Sequence, residues 1–287
     1  MIRIALPNKG RLAEGARELL ARAGLEVESR GERSLQASLG GEFSALFVGA
    51  RDIPEFVSDG AADVGITGRD LIEESARAVT TLLDLGFGRC HLAVAASEDS
   101  GIRDVCDVVE GARVATVFPR TAARFFEQAG RNVTIVPISG AVEIAPHLGV
   151  ADVIVDLVST GSTLKVNGLR EIATVLESTA CLIAGPAILS DPARKQSLDE
   201  LIAALDSVLH ARDKRYLMAN VPRGELAEVK RVLPGISGPT IVDLLDGGKF
   251  VAAHAVVDQR DIYRVIADLK RLGATGILVT RIERLMA

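Results

Sequence analysis

Tryptophan is absent from this sequence, and aromatic residues make up only 3% of it. Proteins that bind single-stranded nucleic acid stack bases on aromatic platforms, so that class is disfavoured. The three cysteines, Cys90, Cys106 and Cys181, are widely spaced, odd in number and without a C-x-x-C pair. Neither a disulfide framework nor a zinc site is suggested. The four histidines (His91, His147, His210, His254) form no H-x-x-H pair. His147 falls on an expected helix and reads as a surface or packing residue rather than a ligand. No Ser/His/Asp or Cys/His order stands out, so no covalent nucleophile or general base is assigned. No apolar run reaches membrane-spanning length. The opening "MIRIALPNKGRL" is broken by Pro7 and does not read as a signal peptide. A reducing cytoplasm is the expected compartment. The net charge of −5 argues against general nucleic-acid binding but leaves room for a local basic pocket holding an anionic metabolite.

What is present is an ordinary globular composition, 48% hydrophobic and 25% charged, over 287 residues. That length suits two or three domains. The chain opens as strand "IRIALP", turn "NKG" and amphipathic helix "RLAEGARELLARAG" closed by Gly24. Strand "FSALFVG", a helix, strand "ADVGIT" and a loop into another helix follow. This alternation predicts a parallel or mixed sheet covered by helices.

An internal echo suggests duplication. Residues 52–68 read "DIPEFVSDGAADVGITG" and residues 142–161 read "VEIAPHLGVADVIVDLVSTG". Each predicts a helix ending in Gly, then Ala-Asp-Val, a strand and a Thr-Gly loop. Two similar α/β lobes would face each other and bring both loops to one cleft. The second lobe is expected over 90–183, and the first over 1–89 and 184–211. Beyond residue 212 the pattern changes to β-α-β-β-α-β, the ferredoxin-like order. Its two central strands, "GPTIVDLL" and "KFVAAHAVV", are joined through the turn signal "DGG".

The stretch "DLVSTGSTL", Asp156 to Leu164, carries the chemistry best. Gly161 tolerates positive φ. Ser159, Thr160, Ser162 and Thr163 supply hydroxyls, and a tight loop turns backbone N–H groups inward, a phosphate nest. Asp156 beside it can accept hydrogen bonds from ribose hydroxyls. A plain strand-to-helix turn with a Ser/Thr cap is the alternative. Glu143, thirteen residues earlier, is placed to approach Asp156, or serves only its helix dipole. Arg11, with Lys9 beside it, and Arg51 each follow a predicted strand at the edge where open α/β sheets bind ligands. A guanidinium there offers a planar fork for phosphate. One nest, two carboxylates and two or three cations suit group transfer between phosphorylated metabolites. A pyrophosphate leaving group would be neutralised by Mg²⁺ and cationic side chains.

The run Glu143 to Leu164, "EIAPHLGVADVIVDLVSTGSTL", closely resembles the signature of ATP phosphoribosyltransferase, the first enzyme of histidine biosynthesis. "LPNKGRL", "RDIPEFVSDGAADVGITGRDLI", "LGFGRC" and "GPTI" resemble other blocks of that family in the same order, so the resemblance spans essentially the whole chain. It implies a two-lobed α/β catalytic core like that of periplasmic binding proteins, plus a C-terminal ferredoxin-like regulatory domain at 212–287. This is the long form. A short form would stop near residue 212 and need a partner subunit related to histidyl-tRNA synthetase. The implied reaction joins adenine N1 of ATP to the ribosyl carbon of phosphoribosyl pyrophosphate. Mg²⁺ is held mainly by substrate phosphates, with no protein ligand assigned. Asp156 and Leu157, Val158, Ser159, Thr160, Gly161, Ser162 and Thr163 match the phosphoribosyl loop, and Glu143 its partner carboxylate. Arg11 and Arg51, with Lys9 and Asp70 as weaker matches, fall on the ATP or pyrophosphate side. Thr240 matches the family's histidine-contacting threonine, with Ala274 (in the turn "LGAT") and, more weakly, Asn220 as further candidates for that inhibitory L-histidine site; a module that only joins subunits is the alternative. A homo-oligomer, dimer or hexamer, is implied, with neither nucleic acid nor membrane as partner.

Two other classes fit parts of the pattern. Phosphoribosyltransferases of the commoner single-domain fold carry two adjacent acidic residues in their loop, whereas Val155 precedes Asp156 here. Two-lobed small-molecule binding proteins are usually exported, and no export signal is read here.

Overall fold

The computed structural model describes residues 1–27, 35–245 and 248–286. These divide into two compact units, Met1–Glu18 with Leu25–Asp199, and Leu19–Gly24 with Glu200–Ala287.

The first unit contains two sheets. Its elements run β1 (Ile2–Pro7), α1 (Ala13–Arg22, whose last turn falls in the second unit), β2 (Gln36–Ser38), β3 (Phe43–Val48), α2 (Ile53–Ser58), β4 (Val64–Gly68), α3 (Arg69–Ser75) and β5 (Thr80–Asp84). They continue with β6 (Cys90–Ser97), β7 (Arg113–Thr116), α4 (Pro119–Gln128), β8 (Thr134–Pro137), β9 (Val153–Val158), α5 (Ser162–Val166), β10 (Leu169–Ser178), β11 (Ala180–Ala184) and α6 (Pro186–Leu189). Helix α7 (Pro192–Ala211) leads into the second unit.

Strand order is β2-β3-β1-β4-β11-β5 in the first sheet and β10-β6-β9-β7-β8 in the second. The two are built alike. β1 is parallel to β3 and β4, as β7 is to β8 and β9. A reversed strand, β11 or β6, follows in each, and then an edge strand. Central strands β4 and β11 are buried at every position, as expected when helices cover both faces.

The chain crosses between lobes twice, after Leu85 and after Ser178. The crossings hold each other: Ala180 N–H donates to the Phe87 carbonyl (2.9 Å) and Leu85 N–H to that of Ala180 (2.8 Å). β11 lies in the first sheet, paired with β4 and β5. Residues 180–183 therefore belong to the first lobe, a correction to the expected boundary at 184. The sequence signal there was an apolar run, which has no lobe of its own until its pairing partner is known.

The echo has a physical basis. Ile4 pairs with Val64 as Val114 pairs with Val153, so Arg3 and Arg113 hold equal places. Arg3 N–H donates to Asp63 Oδ2 and Arg113 N–H to Asp152 Oδ2, both at 2.8 Å. The guanidinium of Arg3 reaches the Gly60 carbonyl (2.7 Å), and that of Arg113 the Gly149 carbonyl (2.8 Å). Both glycines have positive φ, 76° and 64°, which lets the chain reverse into the strand. Two parts of the expected echo are corrected. Thr67-Gly68 end strand β4, whereas Thr160-Gly161 lie in a loop beyond β9, so these pairs are not equivalent. Residues 142–149 form one 3₁₀ turn, Val142–Ile144, and further turns rather than a helix. Pro146 has no N–H to return to the Val142 carbonyl, which accepts from Ala145 instead. His147 is on these turns, with Nε2 2.7 Å from the Asn167 carbonyl.

The second unit contains β12 (Lys214–Pro222), α8 (Leu226–Val232), β13 (Thr240–Asp243), β14 (Phe250–Asp258), α9 (Ile262–Arg271) and β15 (Thr275–Arg281). Its antiparallel order β13-β14-β12-β15 is the ferredoxin-like one expected. Alternate residues of β12 and β14 are buried, and their core includes Leu217, Val221, Val251, Val229 and Leu269. The unit takes in α7 from Glu200, ahead of the expected start at 212, because that helix runs unbroken to Ala211. Asp246 and Gly247 of the expected "DGG" turn lie outside the described residues. Among the described residues, no helix is long and apolar enough to cross a membrane.

Candidate functional site

The carboxyl ends of the parallel strands in the two lobes face each other. Arg51, just after β3, donates from Nη2 to the Val117 carbonyl beyond β7 (3.2 Å), and its guanidinium lies 5.6 Å from the centre of the Phe118 ring. Lys9, Arg11 and Arg51 follow β1 and β3 at the first lobe's edge, and Asp156 with its loop ends β9 at the second lobe's.

On the second lobe's side, β9 carries Asp156 to the edge. Burial pushes its carboxyl above the usual range, the Leu157 N–H at 2.8 Å opposes that, and the nearby charge of Glu143 adds to the rise. The two carboxylates are thus close enough to feel each other. Glu143 sits on the 3₁₀ turn introduced by Ala141, whose φ of 51° is rare for a residue with a Cβ. Ser159 and Thr160 are exposed. Gly161 has φ 73° and forms the N-cap of α5, which has no side-chain cap. Thr160 Oγ1 and Ser162 Oγ are 2.9 Å apart. Asp156 and Glu143 are therefore neighbours, and the loop follows Asp156 directly along the chain.

A neighbouring pair escaped the sequence reading. His91 Nε2 lies 2.7 Å from Glu171 Oε2, and Glu171 Oε1 is 3.6 Å from where a Cβ on Gly161 would stand. Glu171 is on β10, a bulged edge strand whose mixed polar pattern gave no strand signal.

On the first lobe's side the cations differ in their freedom. Lys9 is exposed in the turn after β1. Arg11 is engaged: Nη2 bonds both oxygens of Asp70 (3.0 and 3.1 Å) and Nη1 donates to the Gly88 carbonyl of the first crossing. Asp70 is 1% exposed and also accepts the Ser178 hydroxyl of the second crossing at 2.5 Å. The expected nucleotide-side role of Asp70 is corrected: its carboxylate is filled from within the protein and ties Arg11 to both crossings. Buried Cys90 and Cys181 have thiols pushed up by burial, so neither is poised as a thiolate. Among the described residues no group of three His, Cys, Asp or Glu side chains could cage a metal ion.

In the second unit, Asn220 on β12 pairs with Thr275, next to Ala274, at one edge of the sheet. Thr240 opens β13 at the other edge and pairs with His254. Three strand spacings separate β13 from β15, about 14 Å. Asn220 and Ala274 are brought together; Thr240 and Ala274 are not.

Comparison with known proteins accounts for both units. Residues 49–207 match the ATP phosphoribosyltransferase family model, and residues 211–284 match the model "HisG, C-terminal domain". An ATP phosphoribosyltransferase of Gemmatimonas aurantiaca is 63% identical over the full length of both chains. One from Natronomonas pharaonis is 49% identical over 99% of this chain and all of the relative. Among solved structures, the ATP phosphoribosyl transferase (HisG:HisZ) complex from Thermotoga maritima superposes with a TM-score of 0.64 at 27% identity, covering 73% of this chain and 99% of that one. The two-lobed core and the extra C-terminal unit are thereby accounted for, and the chain belongs to the ATP phosphoribosyltransferase family, in the long form that carries the C-terminal domain.

Proposed function

We propose that the chain transfers the phosphoribosyl group of phosphoribosyl pyrophosphate to N1 of the ATP adenine, as the first step of L-histidine biosynthesis. The N1 lone pair forms the new bond to the ribosyl carbon while the bond from that carbon to pyrophosphate breaks. The products are N1-(5-phosphoribosyl)-ATP and pyrophosphate. The observation that carries this reading is the nearness of Glu143 to the partly buried Asp156, with the Ser159–Thr163 loop following at the end of β9. In it, the loop's N–H and hydroxyl groups hold the 5-phosphate, and the two carboxylates accept hydrogen bonds from ribose hydroxyls. Arg51, with Lys9 and Arg11, faces the triphosphate or the departing pyrophosphate from the first lobe. Positioning and charge stabilisation do the chemistry, without a covalent nucleophile.

Mg²⁺ fits this donor set as an ion that arrives on the pyrophosphate. Two carboxylates are too few for a protein cage, but Mg²⁺ commonly keeps its waters and takes one or two carboxylates plus substrate phosphates. When bound it would neutralise charge on the leaving group.

The second unit is read as the sensor of L-histidine, through Thr240, Asn220 and Ala274. One histidine is too small to touch both sheet edges of a single domain, so contacts from both would come from two copies. That reading favours a homo-oligomer, dimer or hexamer.

The test is direct. Purified chain, ATP, phosphoribosyl pyrophosphate and Mg²⁺ should yield a new ultraviolet-absorbing nucleotide and pyrophosphate in equal amounts. Histidine should inhibit, and Thr240→Ala should weaken inhibition while sparing substrate KM values. Absence of the product nucleotide under these conditions would refute the reaction. Unchanged inhibition in Thr240→Ala would remove that residue from the histidine site.

A further inference from the structure

Helix α4 begins without a cap of its own. Its N-cap is Phe118, whose side chain accepts no hydrogen bond, and Pro119 follows. The first backbone N–H groups of a helix need acceptors from elsewhere. Here they come from the opposite lobe. Glu74, on α3, accepts the Arg120 N–H at Oε1 (3.1 Å) and the Thr121 N–H at Oε2 (2.9 Å). The same Oε2 accepts the Thr121 hydroxyl at 2.8 Å, and Thr121 is 3% exposed. Arg120 returns a bond to the Ser75 carbonyl (2.9 Å), and Arg124 pairs with Glu73 (2.7 Å). Leu71, on the same short helix, packs against the second lobe's core around Phe118 and Phe126.

These contacts have one direction. A carboxylate at a helix N-terminus satisfies orphan donors and meets the positive end of the helix dipole. Drawing the lobes apart would strip α4 of its cap and leave the Thr121 hydroxyl without its acceptor, a cost that water repays only in part. The capped turn is continuous with Val117 and Phe118, the residues Arg51 meets. The site thus depends on the lobe spacing that the cap holds.

We infer that Glu74 is a positioning residue, an interlobe cap that fixes the second lobe at the spacing where Arg51 faces the Asp156 loop. The activity arm of its test rests on the proposed reaction; the exchange arm does not, so the two readings fail separately. Backbone hydrogen exchange at Arg120 and Thr121 is compared in the full chain and in Glu74→Ala, Glu74→Gln and Glu74→Asp. Glu74→Ala should lose protection at both amides and raise KM for phosphoribosyl pyrophosphate about fivefold, the factor given by loss of a typical cap, with kcat changed less. Glu74→Gln, which keeps one acceptor oxygen and the side chain's length, should fall between Ala and the parent, and it carries the same readouts if Glu74→Ala does not fold. Unchanged protection in these variants would show that α4 is not capped across the cleft in solution. Lost protection with both KM and kcat unmoved would make the contact structural only and overturn the positioning role.

Discussion

The two lobes repeat one device and then part company. In each, an arginine on the leading parallel strand clasps an Ala-Asp pair and a left-handed glycine carbonyl, and so fixes where the next strand begins. Three residues beyond equivalent Val64 and Val153 stand Thr67 and Asp156. Thr67 is fully buried, and its hydroxyl bonds the Ala50 carbonyl at 2.8 Å. Asp156 is partly buried near the carboxyl end of β9, its carboxyl raised by burial and by the nearby Glu143. β4 runs directly into α3, whereas Ser159–Gly161 intervene before α5. The clasp is therefore scaffold, and the proposed reaction draws on what the second lobe adds after the strand. This is the general division between a fold and a site grafted on it.

The sharpest way to break the comparison is to exchange roles at the equivalent pair. Asp156→Asn should lower kcat/KM for phosphoribosyl pyrophosphate about 10- to 100-fold, the loss expected when charge-assisted hydrogen bonds go. Thr67→Val should cost stability while leaving kcat/KM nearly unchanged. A sign follows from the raised carboxyl of Asp156. A group whose folded value lies above its unfolded one disfavours the fold as pH rises through that range. Asp156→Asn should therefore be more stable than the parent at neutral pH, as read by thermal melting. A variant that loses stability and keeps its kinetics would reverse the assignment.

A second comparison uses two glycines with nearly equal backbone strain. Gly60 and Gly161 have φ of 76° and 73°, and an added Cβ meets nothing within 4 Å at Gly60 and, at Gly161, Glu171 Oε1 at 3.6 Å and a Val158 methyl at 4.0 Å. Alanine at either should cost about 1 kcal/mol through the left-handed backbone. Only Gly161→Ala, and more so Gly161→Val, should raise KM for phosphoribosyl pyrophosphate, by roughly tenfold, the worth of one charge-assisted hydrogen bond from the loop to the phosphate. Equal kinetics for the variants at 60 and 161 would take the phosphate away from the loop.

Much of this was legible in the chain. The strands at 2–7, 43–48 and 64–68 were marked by apolar runs, and the clasped aspartates by the repeated Ala-Asp-Val. The phosphate-loop composition pointed to the end of β9. Other features were hidden for physical reasons. β5 and β10 are edge strands with exposed polar positions, so neither a buried run nor a clean alternation identified them. Glu171 was hidden along with β10. "EIAPHLG" has helical spacing, but Pro146 breaks the hydrogen-bond ladder that spacing requires. Asp70 carried a family match, yet its partners, Arg11 and Ser178, lie 59 and 108 residues away. Local pattern has no access to such pairing.

The smallest expected effect tests whether the two clasps are equal in energy as well as in form. Asp63 is 5% exposed and holds a second guanidinium, that of Arg194, at 2.7 Å. The side chain of Asp152 is 41% exposed and, among the described residues, pairs with Arg113 alone. Removing the charge from the buried member takes a carboxylate from two arginines, of which Arg194 keeps Asp191 at 2.7 Å, so Asp63→Asn should destabilise clearly. Asp152→Asn should cost no more than about 1 kcal/mol, because solvent already screens that pair. Its pH dependence is set by direction: the Arg113 backbone N–H, then its guanidinium, holds the Asp152 carboxyl below the usual range. A depressed carboxyl stabilises the fold above its unfolded value, and that contribution is lost as pH falls through the folded one. The stability gap between parent and Asp152→Asn, measured by denaturant titration, should therefore be present at neutral pH and close in acid below the ordinary aspartate value of about 3.9. A gap that widened in acid would overturn the depressed Asp152 carboxyl, and one larger than that of Asp63→Asn at pH 7 would reverse the ranking of the two clasps.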